Sequence, residues 1–145
     1  MPHSILHSEP YGAILLANDV PCIVVQWHGF ANSQQLRSLK DRGLALYTEQ
    51  TGRTQPLGWI CDTRHFSAVK PDDQQWLATD WNLRAFRAGV RHLCFVRPES
   101  VFGQMSVDTY IANTNANSAY SIVPAQHNSI AAAKRWLKQQ LLATH

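Results

Sequence analysis

No run of apolar residues in this chain approaches the roughly 20 needed to cross a bilayer, so no membrane span is read. The opening stretch, MPHSILHSEPYG, has no basic segment followed by a long apolar one, and no signal peptide is read there. Lys and Arg total 13 against 10 acidic residues, a net charge of +3. They are scattered rather than clustered, which argues against a nucleic-acid partner. Cysteine is scarce: Cys22, Cys61 and Cys94 are odd in number and widely spaced. Each sits in an apolar run (CIVV, GWICD, HLCFV), so they read as buried thiols of a cytoplasmic protein rather than disulfides or metal ligands.

Catalytic signatures are missing as well. There is no G-x-G-x-x-G, no phosphate-binding P-loop and no G-x-S-x-G. The seven histidines form no helical H-x-x-x-H or H-E-x-x-H pair, and no two cysteines are close. Asp72 and Asp73 are adjacent, but neighbours on a helix point apart and cannot act as a facing acid-base pair. Cys61 and His65 suggest a thiol and a base, yet Cys61 falls inside a predicted strand, where inward packing leaves it inert. The chain therefore reads as a non-enzyme with no cofactor and no metal.

What is present is a core. The 145 residues are 45% hydrophobic and 16% charged, the profile of one folded domain spanning 1–145. GAILLAND and PCIVVQWHG read as strands joined by a turn at Asn18-Asp19. Their near-continuous apolar runs suit a sheet covered on both faces. NSQQLRSLKDRGLALYTEQTG reads as a helix capped by Asn32 or Ser33, with Leu36, Leu39, Gly43, Leu46 and Tyr47 on its inner face. PLGWICDT is a third strand. PDDQQWLATDWNLRAFRAG is a helix that Pro71 opens and Gly89 closes. VRHLCFVR is a fourth strand, PESVFGQMSVDTYIAN a shorter helix, TNANS a loop and AYSIVP a fifth strand. NSIAAAKRWLKQQLLATH is the last helix. The expectation is an α/β domain: a mostly parallel five-stranded sheet with one antiparallel strand from the N-terminal hairpin, and four helices.

The motifs in this order resemble the SpoIIAA-like, or STAS/SEC14-like, family of bacterial domains. The shared features are Trp27-His28-Gly29 closing an early strand and Asp62-Thr63-Arg64 closing a middle one. A helix opening DDQQWL, a strand V.HLCFVRP and a helix with AAAKRWL complete them. The similarity runs from about Gly12 to Leu142. It implies the STAS fold and a regulatory role through protein contact. Regulatory STAS proteins carry a phosphorylatable Ser or Thr at the start of the helix after the third strand. Here that position reads Pro71-Asp72-Asp73, without a hydroxyl, so no phospho-switch is expected at the usual site.

Two candidate regions follow. Ligands of open α/β sheets bind beyond the carboxyl ends of the parallel strands. Asp62, Arg64, His65, Arg97 and His127 fall there, and Arg64, Arg97 and His127 are placed to clamp a carboxylate or phosphate. The competing reading is structural: Asp62 caps loop amides, and Arg64 pairs with Asp62, Asp72 or Asp73. The second region is the second helix. Trp76, Leu83, Phe86 and Val90 make one stripe; Leu77, Trp81, Ala85 and Ala88 make another. Either the helix is tucked under a neighbour, or one stripe is a contact surface. The latter predicts a two-fold homodimer with Trp81 or Phe86 at the contact, Trp76 beside them. The leading functional reading is a non-enzymatic protein-interaction domain. The alternative is a domain binding a small molecule, anion or lipid at the sheet rim.

Overall fold

The computed structural model describes residues 3–54 and 56–143. Residues 144 and 145, included in the helix read at the C-terminus, lie outside them. The described residues fold as α/β, with six strands in one mixed sheet and four helices. The strands are β1 (His3–Glu9), β2 (Gly12–Ala17), β3 (Cys22–Trp27), β4 (Gly58–Asp62), β5 (His92–Val96) and β6 (Val123–His127). They lie side by side in chain order. β1, β2 and β3 are antiparallel neighbours, and β3 to β6 are parallel.

The expected five-stranded sheet is therefore one strand short. β1 was not legible because it lies at the edge and pairs only with β2. Its side chains are mostly half-buried or exposed, and a bulge between Ile5 and His7 breaks its alternation. The last strand also lies later than AYSIVP. Tyr120 and Ile122 are buried before β6 begins and mimic a strand's apolar pattern. β6 is itself an edge strand, which is why it tolerates Pro124.

Helix α1 (Ser33–Thr51) starts at a capping box: Asn32 Oδ1 accepts from Gln35 N (2.8 Å), and Gln35 Oε1 accepts from Asn32 N (3.0 Å). Leu36, Leu39, Gly43 and Tyr47 face inward as expected and Leu46 packs half-buried against the same core, while Leu44 and Lys40 are buried as well. A Cβ on Gly43 would stand 3.0 Å from the Trp59 ring, so the glycine lets α1 lie close on the sheet.

Helix α2 runs in three consecutive segments. It is α-helical over Pro71–Trp76, π-helical over Leu77–Trp81 and α-helical again over Asn82–Ala88. Gly89 ends it in the left-handed conformation (φ 112°). The π turn resolves the two aromatic stripes. On a regular α-helix Trp76 and Trp81 would point about 140° apart. Across the π turn both meet α1: the Arg37 guanidinium lies 5.1 Å from the Trp76 ring centre, and Lys40 Nζ lies 3.6 Å from that of Trp81. The Ala78 carbonyl in that turn accepts from Tyr120 Oη and, at 3.2 Å, from Asn117 Nδ2.

Helix α3 (Val101–Ala116) is capped by Ser100 and extends through most of the stretch read as a loop. Helix α4 (Ile130–Ala143) follows β6. The helices α1, α2 and α3 pack their apolar sides with Trp59, Cys61, Leu93 and Phe95 on one face of the sheet. Among the described residues helix α4 alone covers the other face, with Ala133, Leu137 and Leu141 against Val24, Ile60, Cys94 and Val96.

Candidate functional site

The carboxyl end of β4 resolves into a structural joint. Asp62 is almost fully buried, and Arg64 folds back onto it with Nε at 2.9 Å from Oδ1 and Nη2 at 2.8 Å from Oδ2. Gln26 Nε2 adds a third side-chain donor to Asp62 at 3.3 Å. Burial pushes the Asp62 carboxyl up, but the Arg64 and Gln26 donors outweigh it, and the net shift is down. The same pairing holds the Arg64 guanidinium charged. Thr63 Oγ1 donates to the Val96 carbonyl and ties β4 to β5. His65 Nδ1 lies 3.4 Å from Glu99 Oε1, and Glu99 N donates to the Arg64 carbonyl.

The remaining rim residues do not complete an anion clamp. Exposed Arg97 donates to Gln126 Oε1 at 3.4 Å. His127 turns to the α4 face, its ring 5.6 Å from that of Trp136, with Nε2 buried and without a partner. Desolvation, then the positive charges of Arg97 and Arg135, lower its pKa. At this rim the two-point contact of Arg64 with Asp62 leaves that pair little net charge for a ligand.

The second-helix residues are covered too. Trp81 is 0% exposed, and its Nε1 donates to the Lys40 carbonyl at 2.9 Å, so it is core rather than surface. Trp76 is half-buried between the Arg37 and Arg84 guanidiniums, and the Arg91 guanidinium lies 4.1 Å from the Phe86 ring centre. At the amino end of α2, Asp73 is buried and accepts from Ser33 Oγ (2.6 Å) and Arg37 Nε (2.9 Å), fastening α2 to α1.

Two features that sequence reasoning missed stand out. The first is an open groove of about 850 Å³ between α2 and α3. Its walls include Gln75, Ala78, Thr79, Phe102, Met105 and Asn113, and none of its lining residues is charged. Phe102 (68% exposed) and Met105 (60%) project at its edge beside exposed Val101. The apolar content of SVFGQM was read as an ordinary helix start; nothing in its pattern marks these side chains as outward-facing.

The second is Lys40, only 4% exposed, inside the helix-covered core. Its Nζ lies 3.6 Å from the Trp81 ring centre and 5.5 Å from those of Trp59 and Tyr110. No carboxylate pairs with it among the described residues. Desolvation lowers its pKa, with Cys61 and Asp41 pulling more weakly the other way. The neighbouring Cys61 thiol is pushed up by burial, so it is no nucleophile at neutral pH. Lys40, Cys61, Thr63, Gln74 and Tyr110 line an interior cavity of about 20 Å³, room for one water. Gln74 Nε2 donates to the Ser106 carbonyl at 2.9 Å, which fixes the amide's orientation and leaves its buried Oε1 without a partner. The sequence held one signal: Leu36, Lys40, Leu44 and Tyr47 recur at helical spacing, placing a lysine on the apolar stripe.

Among the described residues no three His, Cys, Asp or Glu side chains group as a metal site, and no helix is long and apolar enough to cross a membrane. His3 and His7, four apart in sequence, lie on β1 rather than a helix. No protein-family model, curated protein or solved structure matches the chain.

Proposed function

We propose that this chain is a non-enzymatic, cytoplasmic protein-interaction domain of the SpoIIAA-like kind, and that its contact surface is the α2–α3 groove, occupied by a second copy of the chain. The observation that carries this reading is the exposure of Phe102 and Met105 beside an uncharged groove. Exposed apolar side chains grouped beside a concave surface mark contact sites on soluble proteins. A two-fold contact sets a patch against itself, so a charged patch would repel its own copy. The lining of this groove carries no such penalty. The homodimer expected through Trp81 or Phe86 is accordingly relocated to α3, because Trp81 is core and Phe86 is covered by Arg91.

Sedimentation velocity at tens of micromolar protein tests this. Wild type sediments as a dimer, and Phe102→Asp raises the dissociation constant by at least about tenfold, as loss of an aromatic interface anchor does. The variant's melting temperature stays near that of wild type, since Phe102 is exposed in the monomer. A monomeric wild type, or a dimer indifferent to Phe102→Asp, overturns the reading.

The small-molecule alternative draws its support from the interior cavity rather than from the rim. Arg64 is already neutralised by Asp62, whereas Gln74, whose buried Oε1 has no partner, and Lys40 both line a small cavity.

A further inference from the structure

We infer that the cavity between α1, α2 and the carboxyl ends of β4 and β5 is a covalent binding site for a small aldehyde or ketone, with Lys40 as the capturing amine. Three observations carry this.

The first is the amine's setting. Nζ is enclosed by three aromatic rings, with no carboxylate to hold it as an ammonium. A desolvated lysine in an apolar pocket is the usual form of an amine that condenses with carbonyls. The second is Gln74. Its Oε1 is an acceptor in a buried position with nothing to accept from, while its amide is fixed by Ser106. A buried polar atom left unpaired costs stability, and native proteins keep one where something else completes it. The third is the π turn, Leu77–Trp81, one helical turn beyond Gln74. It brings Trp81 over Lys40 at 3.6 Å. Such single π turns recur at functional sites.

The space holds one water-sized group, which a carbonyl oxygen matches. The rest of the compound would lie outward, towards Phe66 and Val69. These two half-buried side chains belong to the segment after β4, the end of the sheet where α/β folds take ligands. Val69, Gln74 and Ser106 also line the α2–α3 groove, so the cavity's outer wall is one side chain thick.

The chemistry balances without an oxidant or reductant. The Nζ lone pair forms a bond to the carbonyl carbon, the C=O π pair moves to oxygen, and an Nζ proton transfers to that oxygen. The resulting carbinolamine hydroxyl has a donor hydrogen for Gln74 Oε1. Loss of that hydroxyl with the second Nζ proton releases water and leaves the C=N bond of an imine. No turnover is implied; the product is a reversible adduct.

The test is reductive trapping. Folded wild-type protein at pH 7 is incubated with acetone, or with propionaldehyde, and sodium cyanoborohydride. Peptide mass mapping then compares the chain's four lysines, Lys40, Lys70, Lys134 and Lys138. Lys40 takes the adduct about tenfold or more faster than Lys70 and Lys138, because its amine is desolvated while those two are exposed to water. Denaturing the protein in urea abolishes the preference. Lys40→Met removes the dominant adduct while a thermal melt shows a folded protein. Uniform labelling of the lysines, or an unmodified Lys40, overturns the inference and means that the cavity holds water alone.

Discussion

At the scale of single residues, the side chains with the most to say are those whose chemistry conflicts with their place. Lys40 is the clearest. Removing an unpaired charge from water costs several kcal/mol, and a cation–π contact returns about 2 kcal/mol when desolvated. Desolvation is the larger effect, consistent with the downward shift of the Lys40 pKa. Lys40→Met keeps the length of the side chain and drops the amine. Urea unfolding at pH 7 should show this variant more stable than wild type by about 1–3 kcal/mol. The pH dependence fixes the cause. An amine whose folded pKa lies below its ordinary 10.5 holds fewer protons folded than unfolded, so wild-type stability rises with pH towards 10.5. The gap between Lys40→Met and wild type should therefore narrow between pH 7 and 10. A constant gap would trace the gain to packing instead. The rim residues teach the opposite lesson. Asp62 and Arg64 were legible as a motif, and pairing of the two was one of the readings open from sequence. Choosing between that and an anion site needed side-chain geometry, because spacing alone does not say which way a guanidinium turns.

At the scale of elements, legibility followed burial. β3, β4 and β5 are covered on both faces and stood out as apolar runs, while β1 and β6, at the edges, were missed or displaced. Edge strands are held by a single backbone ladder, which leaves no side-chain pattern to read. α2 was located correctly from Pro71 to Gly89, and its being tucked under a neighbour was one of two readings open from sequence; the choice needed the structure because its period changes at Leu77–Trp81. A helical wheel assumes one period throughout, and an inserted π turn rotates everything beyond it. α1 was read better, since Gly43 announced a close approach. There the packing is unforgiving: Trp59 is fully buried, 5.8 Å from the Tyr47 ring centre and 5.2 Å from that of Trp81, so it has nowhere to retreat. Gly43→Ala gains about 1 kcal/mol in helix propensity but forces a Cβ to 3.0 Å from the Trp59 ring. Overpacking of that kind costs about 1–3 kcal/mol, so the net change should be a loss of about 1 kcal/mol. Chemical denaturation measures it, and a stabilised variant would show that α1 can lift from the sheet at little cost.

At the scale of the whole molecule, the order of the strands determines where everything else goes. β3 to β6 follow one another without a reversal, so right-handed crossovers send α1, α2 and α3 to the same face. The other face receives only α4, and its attachment differs in kind. Its apolar contacts are framed by three histidines with lowered pKa values, His3, His92 and His127. His92 and His127 both lie 5.6 Å from the Trp136 ring of α4. Desolvation is the main cause for each. The surrounding charges act in the same direction: Lys134 on His3, Arg91 on His92, and Arg97 with Arg135 on His127, with only Asp19 opposing at His3. Folded-state pKa values below the ordinary 6.5 mean that the unfolded chain binds protons first as pH falls. Stability should thus hold above pH 6.5 and decline below it, before carboxylates such as Asp62 begin to protonate. The loss should start locally, because His92 and His127 lie against Trp136 of α4 and His3 feels the charge of Lys134 on the same helix. Hydrogen exchange at pH 5.5 should accelerate in the amides of α4 while those of α1 keep their pH 7.5 protection, after correction for intrinsic rates. His127→Phe, which keeps a ring against Trp136 without a titrating nitrogen, should reduce that acid sensitivity. Exchange that accelerates equally in α1 and α4 would mean that acid unfolds the domain as one unit and that the histidine face has no separate role.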